Sequence, residues 1–84
     1  MAKTIFSSRQ EALQELLKSE RTRVGLTQSG LAERLGRPQS FVSKIESGER
    51  LLDLIELKEL CDTLGISIVA FVTRFEEALR ESGR

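Results

Sequence analysis

The chain has 84 residues, with 13 Lys/Arg balanced by 13 Asp/Glu, no histidine, a single cysteine and four phenylalanines as its only aromatics. That length holds one domain with a modest core of Leu, Ile and Val, and a chain without histidine, with no group placed to activate Cys61, is poorly equipped for catalysis or for a zinc site. No apolar run reaches the roughly 18 residues that cross a bilayer, the N-terminal stretch carries no secretory signal, and a lone cysteine suits a reducing compartment, so the expectation is a cytoplasmic protein with no membrane partner, metal or cofactor.

In chain order, Lys3-Thr4-Ile5-Phe6 reads either as a free arm or as a segment packed on the body. Ser8 followed by Glu11 has the spacing of a capping box. It predicts a first helix from about Arg9 to Val24, with Leu13, Leu16, Leu17 and Val24 turned to the core and Gly25 as a left-handed cap. Thr27 is the N-cap expected for a second helix that ends before Gly36 and carries Leu31, Ala32 and Leu35 on one face. Pro38 falls at the first position of a third helix, where its missing N–H costs nothing; that helix buries Val42 and Ile45 and stops at Gly48. Asp53 and Glu56 form a second capping box, opening a fourth helix with Leu57, Leu60, Cys61 and Leu64 that ends at Gly65. Ser67 caps a fifth helix bearing Ile68, Phe71, Val72, Phe75 and Leu79. No strand-like alternation or repeat interrupts the series. The fold class is all-α, a compact five-helix domain over 1–84.

The stretch Gln28 to Gly48 concentrates the functional signal. Two short amphipathic helices joined by a tight turn at Gly36 make a helix-turn-helix, a motif that places its second helix in the DNA major groove. With Val42 and Ile45 anchored inward, Gln39, Ser40, Phe41, Ser43 and Lys44 remain as the reading face. A glutamine amide pairs bidentately with adenine, and a lysine donates to guanine O6 and N7, so Gln39 and Lys44 are the leading base readers. Ser40 and Ser43 can reach a base edge or a phosphate, and Phe41 can contact a thymine methyl or cover the turn. Arg50, then Arg37, then Arg21 and Arg23 are candidate phosphate clamps, which set affinity and register rather than sequence preference.

These residues resemble the lambda-repressor and Cro helix-turn-helix family of transcriptional regulators, also called the XRE type. The resemblance rests on Gln28, Leu31, Ala32 and Gly36, followed by Val42-Ser43-Lys44-Ile45-Glu46-Ser47-Gly48, with Arg21 to Gln28 upstream and Leu60 to Phe71 downstream. It covers about residues 13–72, leaving 73–84 as a C-terminal helix extension. It implies a lambda-repressor-like fold with the motif at helices 2 and 3. It also implies that Gln28 bonds a backbone phosphate and braces Gln39, and that Glu46 is structural. Two features depart from the family pattern: Gly30 inside the second helix, where glycine costs about 1 kcal/mol, and the longer fifth helix.

Charge and apolar patterning supply the partners. Residues 1–50 carry nine Lys/Arg against six Asp/Glu, and residues 51–84 carry four against seven. A basic half can therefore face phosphate while the acidic half points away. One helix-turn-helix contacts too few bases to select a site in a genome, and Val69, Val72, Phe75 and Leu79 extend an apolar stripe along the fifth helix. The expectation is a homodimer through that helix, with or without the fourth, on a near-palindromic double-stranded operator, as in phage repressors or restriction–modification controllers. Contact with polymerase would fit this reading. The competing readings are an antitoxin-like adaptor whose fifth helix binds a toxin or other protein, and an interaction domain that makes no DNA contact.

Overall fold

The structure, a computed structural model, describes residues 7–84; the segment Lys3-Thr4-Ile5-Phe6 lies outside them. Five α-helices follow in order: α1 Ser8–Arg23, α2 Gln28–Leu35, α3 Gln39–Ser47, α4 Leu54–Leu64 and α5 Ile68–Ser82. Helix α2 packs chiefly on α3, α1 backs α3 and α5, and α4 bridges α2 and α5. Among the described residues, no helix is long and apolar enough to cross a membrane.

Local chemistry sets the helix ends. Thr27, Asp53 and Ser67 each accept a hydrogen bond from the third helical N–H, and the Asp53–Glu56 capping box is closed in both directions. The start of α1 differs from expectation. Ser7, not Ser8, is the cap: its hydroxyl accepts from Gln10 N at 3.0 Å, and its carbonyl takes the first helical bond, from Glu11 N. Two adjacent serines offer either register, and the one adopted starts the helix a residue earlier. Pro38 is likewise the N-cap rather than the first helical residue, with φ −64° and ψ 152° and no side-chain bond. The turn inside the motif is made by Gly36 at φ 71°, whose N–H bonds to Glu33 O while Arg37 N bonds to Ala32 O. That pair of reversed bonds requires a left-handed residue, which glycine adopts without penalty.

One core joins the helices: Leu17 from α1, Leu31 and Ala32 from α2, Phe41, Val42 and Ile45 from α3, Leu60, Cys61 and Leu64 from α4, with Ile66 and Phe71. Each large aliphatic side chain withdrawn from water contributes about 1.5–3 kcal/mol. Val24 does not join them. Helix α1 ends at Arg23, and Val24 sits in its C-cap, 39% exposed. The buried face of α1 continues past Leu17 with Glu20 and Arg21 instead, two charged residues that their partners make tolerable there.

Candidate nucleic-acid interface

Helix α3 is held by its apolar side. Val42 and Ile45 are only 2% and 3% exposed, and Phe41 is buried beside them. Gln39, Ser40 and Lys44 are exposed on the other side, and Ser43 is half-buried, with its hydroxyl donating to Ser40 O at 3.3 Å.

A hydrogen-bonded relay fixes the start of this surface. Arg21 lies under α3 and donates from Nε and Nη2 to the Glu46 carboxylate at 2.6 and 3.0 Å, and from Nη1 to Leu26 O at 2.7 Å. Glu46 Oε1 also accepts from Gln28 Nε2 at 3.0 Å, and Gln28 Oε1 accepts from Gln39 Nε2 at 2.9 Å. The chain of contacts thus runs from the interior to the tip of α3. The Glu46 hydrogen bond raises the Arg21 pKa against the opposing effect of burial. Gln14 completes the anchorage by donating to Glu46 O at 3.1 Å. Gly48 ends α3 at a φ of 86°, which favours glycine, and a Cβ there would displace the Gln14 amide, whose Oε1 stands 2.9 Å away.

Arg21 therefore departs from the phosphate-clamp expectation: with Nε, Nη1 and Nη2 all bonded inside the protein, it has no free edge to offer a duplex. Arg23 keeps an exposed side chain while donating to Glu20 Oε1. Glu20 is buried; that burial pushes its pKa up, but the hydrogen bonds from Arg23 and from Arg74 of α5 outweigh it and leave the carboxyl below its usual value.

Arg50 and Arg37 flank α3 but are already engaged. Arg50 makes a bidentate pair with Glu56, at 2.8 and 2.7 Å, and Arg37 Nη1 lies 3.8 Å from the same carboxylate. Arg37 also reaches Glu59 Oε1 at 3.4 Å. Both guanidiniums lie over the Phe41 ring, 4.4 Å (Arg37) and 4.8 Å (Arg50) from its centroid. Phe41 thus covers the turn and is no free contact for a thymine methyl. The Arg50 hydrogen bond, helped by the Asp53 N–H and opposed by partial burial, holds the Glu56 carboxyl down at about 2. Sequence reasoning assigned Glu56 only to its helix cap; its six-residue separation from Arg50 across a loop carries no periodic signal.

The stripe on α5 divides. Val69 is 73% exposed and Val72 is exposed beside it, and with Leu54, Ile55 and Ile68 they line an open apolar groove that Lys58 and Thr73 border. Phe75 and Leu79 are half-buried. Leu54 and Ile55, the first two residues of α4, are not among the apolar positions read from the sequence.

The helix-turn-helix family model matches residues 17–71. Among relatives, the HTH-type transcriptional regulator y4dJ of Sinorhizobium fredii, itself uncharacterised, is 42% identical over 53 residues, which is 63% of this chain and 69% of that protein. An XRE-family like protein from Pseudomonas syringae pv. tomato has a similar structure, with a TM-score of 0.79 at 47% identity, covering 88% of this chain and 90% of its own. The restriction–modification controller protein C.Esp1396I, solved as a tetramer in complex with its natural 35 base-pair operator, matches with a TM-score of 0.79 at 25% identity, over 87% of this chain and 96% of its own.

Proposed function

This chain belongs to the XRE-type helix-turn-helix family of DNA-binding transcriptional regulators, which are not enzymes, and we propose that it reads a near-palindromic operator as a homodimer. The observation that carries this reading is the relay ending at Gln39. One amide hydrogen of Gln39 is committed to Gln28, leaving the second N–H and Oε1 for a partner. Adenine presents the matching acceptor N7 and donor N6 in the major groove. Lys44 reads guanine on the same exposed face, and Ser40 and Ser43 reach a base edge or phosphate. Gln28, Arg37, Arg50 and Arg23 contact the backbone and fix the register.

The dimer forms through the α4–α5 groove, where Val69 and Val72 join Leu54 and Ile55, with Phe75 and Leu79 farther along α5. Two copies paired about a two-fold axis read half-sites about one helical turn apart. The tetrameric, operator-bound assembly of C.Esp1396I supports an oligomeric mode of action. Selection of bound duplex from a random pool, combined with sizing in solution, tests the proposal: an enriched inverted repeat bound by a dimer is the expected result. A monomer enriching no sequence overturns it, and so does a protein partner such as a toxin seated on the α5 face with no DNA enriched.

A further inference from the structure

The arginines best placed beside the reading helix are not free. Glu56 takes the Nη1/Nη2 edge of Arg50, whose Nη1 also donates to Leu51 O, and attracts Arg37, at 2.7–3.8 Å. Its remaining capacity goes to the Asp53 N–H, 3.1 Å from Oε1. The cluster is built rather than incidental: both guanidiniums rest on the buried Phe41 ring, and the Glu56 side chain is only 12% exposed. A carboxylate receiving two parallel N–H bonds from a guanidinium presents the same acceptor geometry as a phosphate. We propose that Glu56 acts as an internal stand-in for a DNA phosphate, occupying Arg50 and Arg37 in the free protein and surrendering them on binding. This inference rests on the DNA-binding reading above.

The exchange replaces one anionic acceptor by another, so these arginines add less to affinity than free ones would. It acts alike on every sequence, since phosphate contacts carry no sequence information. It also alters the salt dependence. DNA releases condensed cations when its phosphates are neutralised, and salt also screens the internal Arg50–Glu56 pair, so breaking that pair on binding offsets part of the usual salt dependence. The free-state pair thereby restrains the sequence-independent component of binding.

Glu56→Gln is the direct test, because a glutamine carbonyl can still accept the Asp53 N–H and keep the helix cap. Binding is measured by fluorescence anisotropy against a mixed-sequence duplex and against the duplex enriched by selection. The expected result is tighter binding to both by a similar factor, about fivefold, and a steeper log–log salt slope. Glu59→Gln makes the same charge change at a carboxylate that touches only Arg37 and leaves the bidentate Arg50 pair in place, and is expected to move both quantities much less. An equal gain in Glu59→Gln overturns the inference, reducing it to net charge. Unchanged or weaker binding in a folded Glu56→Gln overturns it too. A measurement on the wild-type protein is independent of whether the variant folds: the Glu56 carboxyl carbon resonance must shift when the mixed-sequence duplex saturates the protein, and an unmoved resonance sinks the proposal. Wild-type protein that binds neither duplex would refute the DNA-binding reading itself, whereas normal wild-type binding with an inert Glu56→Gln refutes this inference alone.

Discussion

Gln39 Nε2 lies 2.9 Å from Gln28 Oε1, so the first residue of α3 is oriented by the first residue of α2. Holding a flexible amide in place before binding spares the rotamer entropy otherwise lost on contact. Gln28→Ala is expected to leave the fold intact but blunt discrimination at the base pair that the proposed function assigns to Gln39. The loss should approach the roughly 1–3 kcal/mol that a bidentate base contact supplies. Single-position variants of the selected duplex measure it; undiminished discrimination would show that Gln39 needs no brace.

Beneath that contact, Glu46 carries a different burden. Its carboxylate faces Arg21 with both side chains under 10% exposed, so removing the anion strands a buried cation. Glu46→Ala is expected to cost about 3–5 kcal/mol of stability, read as a fall in the urea midpoint. Replacing Arg21 and Glu46 together by apolar residues of similar volume should recover much of that loss, because no unpaired charge is then left inside. Equal losses in the single and double variants would show that the pair matters for shape rather than charge.

Acid should weaken the fold through Glu56. Its pKa is lowered from an ordinary 4.5 to about 2 in the folded protein. A group whose pKa is depressed by folding contributes stability above its unfolded value and loses that contribution as pH falls towards the folded value. Wild-type stability is therefore expected to exceed that of Glu56→Gln at neutral pH, and the gap should close between pH 4.5 and about 2. Urea titrations at several pH values measure it. A gap that persists at the acid end would assign the stabilisation to hydrogen bonding that the glutamine cannot replace.

The sequence made the helices legible because their ends are written locally: Thr27, Asp53 and Ser67 cap with their own side chains, and Gly36, Gly48 and Gly65 all take positive φ. The anchoring of α3 was legible for the same reason, since Val42 and Ile45 are spaced by the helical period. What stayed hidden was pairing across the fold. Arg21 looks like a surface cation until the fold brings it to Glu46, 25 residues away. Arg50 and Arg37 read as free clamps because nothing local says that the Glu56 carboxylate will receive them. Composition places charged residues outside as a rule, and a buried or committed ion pair is the exception that only tertiary structure reveals.

Cys61 should be chemically silent in the native state. It is fully buried, and that burial, reinforced by nearby Asp62, pushes the thiol up to about 11. Since the thiolate is the reactive species, a thiol-specific disulfide reagent is expected to label the folded protein slowly at neutral pH and the urea-unfolded protein at once. Rapid native labelling would mean that the α4 core opens readily.

The α5 surface separates folding from assembly, because Val69 and Phe71 stand two residues apart on one helix and face opposite environments. Phe71 is 1% exposed, whereas Val69 is 73% exposed. Phe71→Ala is expected to cost about 3–5 kcal/mol of stability through lost contacts and a residual cavity. Val69→Lys should stay within about 0.5 kcal/mol of wild type for the isolated monomer, as surface changes usually do. Lysine is the discriminating choice, since Lys58 borders the same groove and would neutralise an introduced carboxylate. In a dimer paired through this groove, the added charges are buried close together, and sedimentation velocity should then show a monomer. The monomer should bind an inverted repeat no better than a single half-site. A Val69→Lys dimer as tight as wild type would place the subunit contact elsewhere on the molecule.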